Sequence, residues 1–222
     1  MHALMLTLYQ EDCCNIAVSE KSDMDVNILT VDFHDNYEIL YSIFSGDVFR
    51  DDLIERMRKT GIWDITITSK TKYELGVIYK MRPTYAWKAV VKSGGRVIPP
   101  IIISNGVERW IVLVPDKHSR NTVIENLEIS SNTYVEKVKE IEVDSLIKIF
   151  ANIDIVSKFA ESLEKLTEIQ LKTLKQAYSG GYYEVPRKCS LFELAKLNGI
   201  SKNAFLKRLR GAEKKIIGSL FQ

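Results

Sequence analysis

The sequence is poor in the residues that build disulfide frameworks and metal centres. Its three cysteines are Cys13, Cys14 and Cys189. Two are adjacent and one stands alone, so there is no even, spaced set to staple a secreted fold. The three histidines, His2, His34 and His118, are scattered without ligand spacing, and no metal site is expected. No apolar run is long enough to span a bilayer, and no basic leader precedes an apolar stretch. A cytoplasmic protein with no membrane contact is therefore expected. A glycine-rich phosphate loop and a Gly-x-Ser-x-Gly elbow are also missing. The acidic pair Asp51-Asp52 falls on an amphipathic stretch and reads as solvated. Neither enzymatic activity nor a cofactor is expected.

What remains is a chain of 222 residues, 45% hydrophobic and 27% charged, enough for one or two domains with real cores. Its formal net charge of only +2 hides an asymmetry. Residues 167–222 carry 11 Lys and Arg against 4 Asp and Glu, whereas the first 166 residues carry 20 basic and 25 acidic side chains. A basic module on an acidic body suits a nucleic-acid reader with a separate second function.

The basic module centres on Ser190 to Arg210, SLFELAKLNGISKNAFLKRLR. Ser190 is placed to cap a helix on which Leu191, Leu194 and Ala195 recur at helical spacing. Gly199 stands where the chain must turn sharply, Ile200 plugs the turn into the core, and Ser201 caps a second helix. That helix carries Phe205 and Leu209 inward, and Lys202, Asn203, Lys207 and Arg210 outward. Small Ala, turn Gly and basic second helix form the pattern of a DNA-binding helix-turn-helix. Asn198 stands where a buried leucine is usual, and Leu197 is expected to rotate in as its substitute. A helical hairpin with a solvated basic face has the same outline.

Upstream, residues 1–142 read as strand, helix, strand, strand, helix, strand, and then the same six elements again. In the first set, 3–10, 25–33, 37–44 and 62–69 are strands, and 12–21 and 48–60 are helices, the latter closed by Gly61. In the second, 74–80, 97–104, 107–114 and 133–141 are strands, and 83–92 and 116–129 are helices. Pro99-Pro100 should put the strand 97–104 on a sheet edge, and Asn105-Gly106 is a hairpin turn. The fold class is thus α+β. A tandem ferredoxin-like (βαββαβ) N-terminal domain, 1–142, is followed by a linker helix, 143–165, and an all-α helix-turn-helix domain, 166–222. Along 146–166, Leu146, Ile149, Ile153, Val156, Ala160 and Leu163 follow a 3-4 spacing. This is either a short dimer seam or a helix packed on its own domain.

One stretch carries a family resemblance. Residues 166–217 open with Leu166-Thr167-Glu168. They continue through Gly181-Tyr182-Tyr183-Glu184-Val185-Pro186-Arg187 and the Leu194-Ala195 to Gly199-Ile200-Ser201-Lys202 core. They end with Leu209-Arg210 and Ala212-Glu213. This run resembles the C-terminal helix-turn-helix of the archaeal bacterio-opsin-activator family of transcription regulators. The GYYEVPR connection is its most specific piece. In it, Gly180-Gly181 ends a helix, Tyr182 and Tyr183 pack under the next one, and Val185-Pro186 keeps the chain extended.

The resemblance implies a transcription regulator that binds double-stranded DNA. The expected contacts are Arg187, Lys188, Ser201, Lys202, Asn203, Lys207, Arg208 and Arg210. Arg187 and Lys188 lie near a helix N-terminus, where the helix dipole does not favour cations, which suits phosphate contact as well as solvation. The N-terminal domain would bind a small-molecule effector or protein partner, or dimerise, and a homodimer is expected. The alternative is an RNA-binding regulator that uses the ferredoxin-like sheets.

Overall fold

The computed structural model describes residues 1–20, 24–46 and 52–221. The start of the amphipathic stretch read from Val48, and Asp51 of the acidic pair, lie outside the described residues. The chain divides into two compact units, Met1–Leu146 and Ile147–Gln222.

The first unit runs β1 (His2–Gln10), α1 (Cys14–Ser19), β2 (Asp25–Phe33), β3 (Glu38–Ser45), α2 (Leu53–Lys59), β4 (Trp63–Lys70), β5 (Glu74–Met81), α3 (Tyr85–Lys92), β6 (Arg96–Ser104), β7 (Val107–Val114), α4 (Lys117–Ile129) and β8 (Thr133–Ile141). The element order expected from the pattern is present twice. The local signals act as expected. Asn105 and Gly106 take φ of 51° and 76° and close the β6–β7 hairpin, the mirror-image turn that suits strand twist. Gly61 turns at φ 95° after α2. Thr84 and Asp116 cap α3 and α4, accepting from Trp87 N and Ser119 N.

The strands form one antiparallel sheet in the order β4-β5-β3-β2-β6-β7-β1-β8. This differs from two self-contained units. In a βαββαβ sheet the first strand lies between the third and the fourth. Here β5, the first strand of the second repeat, fills the place between β3 and β4, and β1 fills the place between β7 and β8. The repeats exchange their first strands, and β2 pairs with β6 to join the two halves.

The expected edge position of β6 is also corrected, because β6 lies mid-sheet between β2 and β7. The prolines are tolerated there because the ladder steps around them. Pairing to β7 breaks between Ile98 and Ile102, and the register with β2 covers only Ile101 to Ile103. Neither neighbour requires the missing N–H groups of Pro99 and Pro100.

Helices α1 to α4 cover one face. Leu4, Leu6 and Leu8 of β1, Leu40 and Phe44 of β3, Val77 and Tyr79 of β5, and Trp110 and Val112 of β7 point into a single core. There they meet Ile16, Met57, Trp87, Val90, Val123 and Leu127 from the helices. Within it, the Tyr79 hydroxyl donates to Asn15 Oδ1 at 2.7 Å and lies 3.1 Å from Ser42 Oγ, tying α1 to β3 and β5.

The helical stretch expected as one piece is two helices, α5 (Val143–Ala151) and α6 (Ile153–Glu164), interrupted at Asn152. Asn152 leaves helical geometry at φ −121°, ψ 34°, and its side chain donates to Lys148 O, the local competition typical of asparagine. The 3-4 seam is therefore not continuous. The second unit continues with α7 (Glu168–Ser179), α8 (Leu191–Leu197) and α9 (Lys202–Phe221). Its core is Ala177, Tyr182, Leu194, Ala195, Phe205 and Leu209, with Leu174, Cys189, Leu191 and Ile200 packed against it.

Candidate nucleic-acid interface

Two capping boxes set the helix starts. Thr167 accepts from Gln170 N while Gln170 Oε1 accepts from Thr167 N. Ser190 and Glu193 do the same for α8, and the bond from the Ser190 N–H holds the Glu193 carboxyl below its usual range. Each box satisfies two donors that a helix start leaves orphaned. Between α8 and α9 the chain turns through Asn198, Gly199, Ile200 and Ser201. Gly199 takes φ 62°, a conformation that costs other residues backbone energy. Ser201 Oγ accepts from Ala204 N and so caps α9.

Asn198 fills the expected leucine position by another route. Its Nδ2 donates to Leu194 O at 2.8 Å, so the side chain closes the end of α8 on itself. Leu197 does not rotate in: it is 79% exposed. The expected extended GYYEVPR connection is also revised. Glu184 N and Lys188 N both donate to Gly181 O, folding the segment into a compact turn. Tyr182 is buried, and the Arg187 guanidinium lies over its ring at 4.5 Å. The Tyr183 hydroxyl donates to Glu213 Oε1 at 2.6 Å, and burial together with that carboxylate raises its pKa.

Helix α9 buries Phe205, Leu209 and Ala212. At 100° per residue, Asn203, Lys207, Arg210 and Lys214 lie on the face directly opposite, and all four are exposed. Lys202 and Arg208 are also exposed but lie on the two sides of the helix, nearer the buried face than the stripe. Among the described residues, the side chains of Lys202, Asn203, Lys207, Arg208 and Lys214 have no hydrogen-bond or ion-pair partner. Arg210 differs, because its Nη1 pairs with Glu213 Oε2 at 3.1 Å. Lys188 pairs with Glu184 at 2.6 Å. One shallow groove at the start of α8 brings Arg187, Lys188 and Lys202 together, with Glu193 beside them. Ser201 stays at the helix start, its oxygen engaged as a cap. The sequence reading missed Lys214, although its spacing of eleven from Asn203 continues the same helical stripe.

Chemically, the stripe is a row of cations with one amide, Arg210 alone of them ion-paired among the described residues, on the outward face of a helix whose other face builds the core. That is the surface of a helix-turn-helix DNA-binding protein. Residues 166–218 match the model of a helix-turn-helix DNA-binding domain, the bacterio-opsin-activator-like one. Residues 3–134 match a second model, that of the HVO_2525 N-terminal domain. The chain belongs to the HVO_2525 N-terminal domain family and carries the bacterio-opsin-activator-like helix-turn-helix domain. No curated protein and no solved structure matches it. Among the described residues, no helix is long and apolar enough to cross a membrane.

Proposed function

We propose that the protein is a transcription regulator that lays α9 in the major groove of duplex DNA. The observation that carries this is the exposed basic stripe opposite the α9 core, in which Asn203, Lys207 and Lys214 have no partner among the described residues. Asn203 reads a base edge, and Arg210 reads guanine once released from Glu213, or holds phosphate. Lys207, Arg208 and Lys214 neutralise backbone phosphates, as do Arg187, Lys188 and Lys202 beside α8. The N-terminal unit senses an effector or takes part in dimerisation.

One recognition helix reads few base pairs, so a homodimer binding two half-sites is the expected working form. The apolar surface of α5 and α6 supports a dimer contact in the helical unit. Ile147, Phe150, Ile153, Ile155, Val156 and Phe159 are each 39% exposed or more, an unusual run for a surface that stays wet.

The RNA reading has less support. Strand alternation puts Tyr41, Tyr9 and its cross-strand partner Tyr134 on the sheet face that the helices leave uncovered, but residues 1–166 carry 25 acidic against 20 basic side chains, a balance that repels a phosphate backbone. The test is a mobility shift on a selected duplex, with single-stranded RNA as competitor. Lys207→Ala should weaken binding to all sequences and lower the salt slope. Asn203→Ala should relax preference at one base pair by roughly 1–3 kcal/mol. Wild-type affinity in both variants, or tighter binding to RNA, refutes the assignment.

A further inference from the structure

The N-terminal core contains a feature that DNA reading does not use. A small buried cavity is lined by Gln10, Glu38, Trp87, Glu108 and Trp110, with Cys13, Thr84 and Met81 completing its wall. As they stand, the walls leave space for little more than about one water molecule.

Four polar atoms on this wall have no hydrogen-bond partner among the described residues: Gln10 Oε1, Glu38 Oε1, Glu108 Oε1 and Trp87 Nε1. Their residues are 1%, 3%, 2% and 9% exposed, so water outside the protein does not serve them. Three of the four are acceptors, and two belong to carboxyl groups. Neither carboxyl forms an ion pair among the described residues. Glu108 Oε2 accepts from Gln10 Nε2 and Trp110 Nε1, which fixes the carboxyl plane; the buried Cys13 thiol lies beside the group, and Oε1 has no hydrogen-bond partner among the described residues. A buried carboxyl without a cation is costly, and two on one cavity wall call for a shared partner.

We propose that this cavity is a binding site for a small organic cation carrying N–H donors, a primary ammonium or a guanidinium group. Such a group supplies positive charge between the carboxylates and N–H donors to the three unpaired oxygens. The Trp87 and Trp110 rings, 6.0 Å apart and edge-to-face, provide π faces for the cation. A metal ion fits less well, because no group of three or more His, Cys, Asp or Glu side chains gathers among the described residues.

Access is short. Phe33, the cross-strand neighbour of Glu38, is 47% exposed and stacks on Trp87 at 6.5 Å, and the flexible Met81 borders the same wall. The inference rests on the sensing role proposed for the N-terminal unit only for its effect on DNA; binding itself is independent of that role.

The experiment titrates the full-length protein with guanidinium chloride well below its denaturing range, and with methylammonium chloride. Urea is the neutral isostere and sodium chloride the salt control. Tryptophan fluorescence and calorimetry are read together. A saturable response to guanidinium or methylammonium is expected, absent with urea, and weakened at least about tenfold in Glu38→Gln and in Glu108→Gln. Trp63→Phe, at an exposed tryptophan outside the cavity, should keep the response.

Burial raises both carboxyls, Glu38 to about 8 and Glu108 to about 7, so cation binding near neutral pH should displace a proton. The binding heat of the wild type should then differ between buffers of different ionisation enthalpy, a readout that needs no variant to fold. No saturation, an equal response to urea, undiminished binding in both glutamine variants, or buffer-independent heat each overturns the site. Binding without any change in operator affinity leaves the site standing and refutes the sensing role.

Discussion

The buried carboxyls make the N-terminal unit pH-sensitive in a direction that can be worked out. Glu38 is raised from its ordinary 4.5 to about 8, chiefly by burial, then by the Glu108 charge, with Lys88 opposing. Glu108 is raised to about 7 by burial and by the Asp12 charge, and held partly in check by the donors Cys13, Trp110 and Gln10. Each group binds its proton more tightly in the folded state than in the unfolded chain. Between about pH 5 and 8 the folded state therefore holds more protons, and stability falls as pH rises. For Glu38 alone the loss across that window is on the order of 3–5 kcal/mol.

Glu38→Gln removes this titration. Its stability should change less with pH, the part due to Glu108 remaining, match the wild type near about pH 5, and exceed it by roughly 2–4 kcal/mol near about pH 9. All three tryptophans, Trp63, Trp87 and Trp110, lie in residues 1–146, so their fluorescence during urea unfolding reports this unit alone. Urea is the right denaturant because it carries no cation. A wild-type stability that is flat over that pH range, or an equal slope in the variant, refutes the reasoning.

In the helical unit, Ala195 is 2% exposed in the core shared with Phe205 and Leu209, and Ala195→Leu should cost on the order of 1–3 kcal/mol by overpacking. An unchanged thermal melt would place it outside the helix contact. Gly199→Ala should cost about 1 kcal/mol, from its φ of 62° alone, since nothing lies within 4 Å of an added Cβ. Gly181→Ala should cost more, because an added Cβ meets Lys188 Cβ at 2.9 Å as well as a φ of 73°; equal melting points would refute the clash. Ile153→Lys with Val156→Lys should give a folded monomer with weakened operator binding. A variant that stays dimeric by light scattering moves the interface elsewhere, and a monomeric wild type removes it.

Much of the helical unit was legible because its signals are local. Ser190 with Glu193, Gly199 and the Phe205–Leu209 spacing each specify their own turn of chain. The errors arose where a residue had two local outlets. Asn198 met its needs at Leu194 O, which left Leu197 nothing to replace. Asn152 took Lys148 O and broke a helix that apolar spacing alone continues. Pro99-Pro100 was assigned to an edge because proline removes ladder donors. The structure removes the ladder at those residues instead, which spacing along a single strand does not reveal.

The strand exchange was beyond local reasoning for a physical reason. β1 and β5 each have one apolar face and a helix-covered side, and either satisfies the place between a third and a fourth strand equally well. Local pattern fixes which way each strand faces but not which repeat receives it. Interleaving also hid the cavity. Gln10 comes from β1, Glu38 from β3, Trp87 from α3 and Glu108 from β7, so the wall forms only once both repeats are folded together. One sequence signal for it existed. Glu38 shares its strand face with Leu40, Ser42 and Phe44, and Glu108 with Trp110, Val112 and Val114, so strict alternation already points both carboxyls inward. A solvated strand end is the ordinary fate of a glutamate. When two glutamates keep the register of the core, and neither forms an ion pair among the described residues, the charge must be answered by a proton or by something that enters.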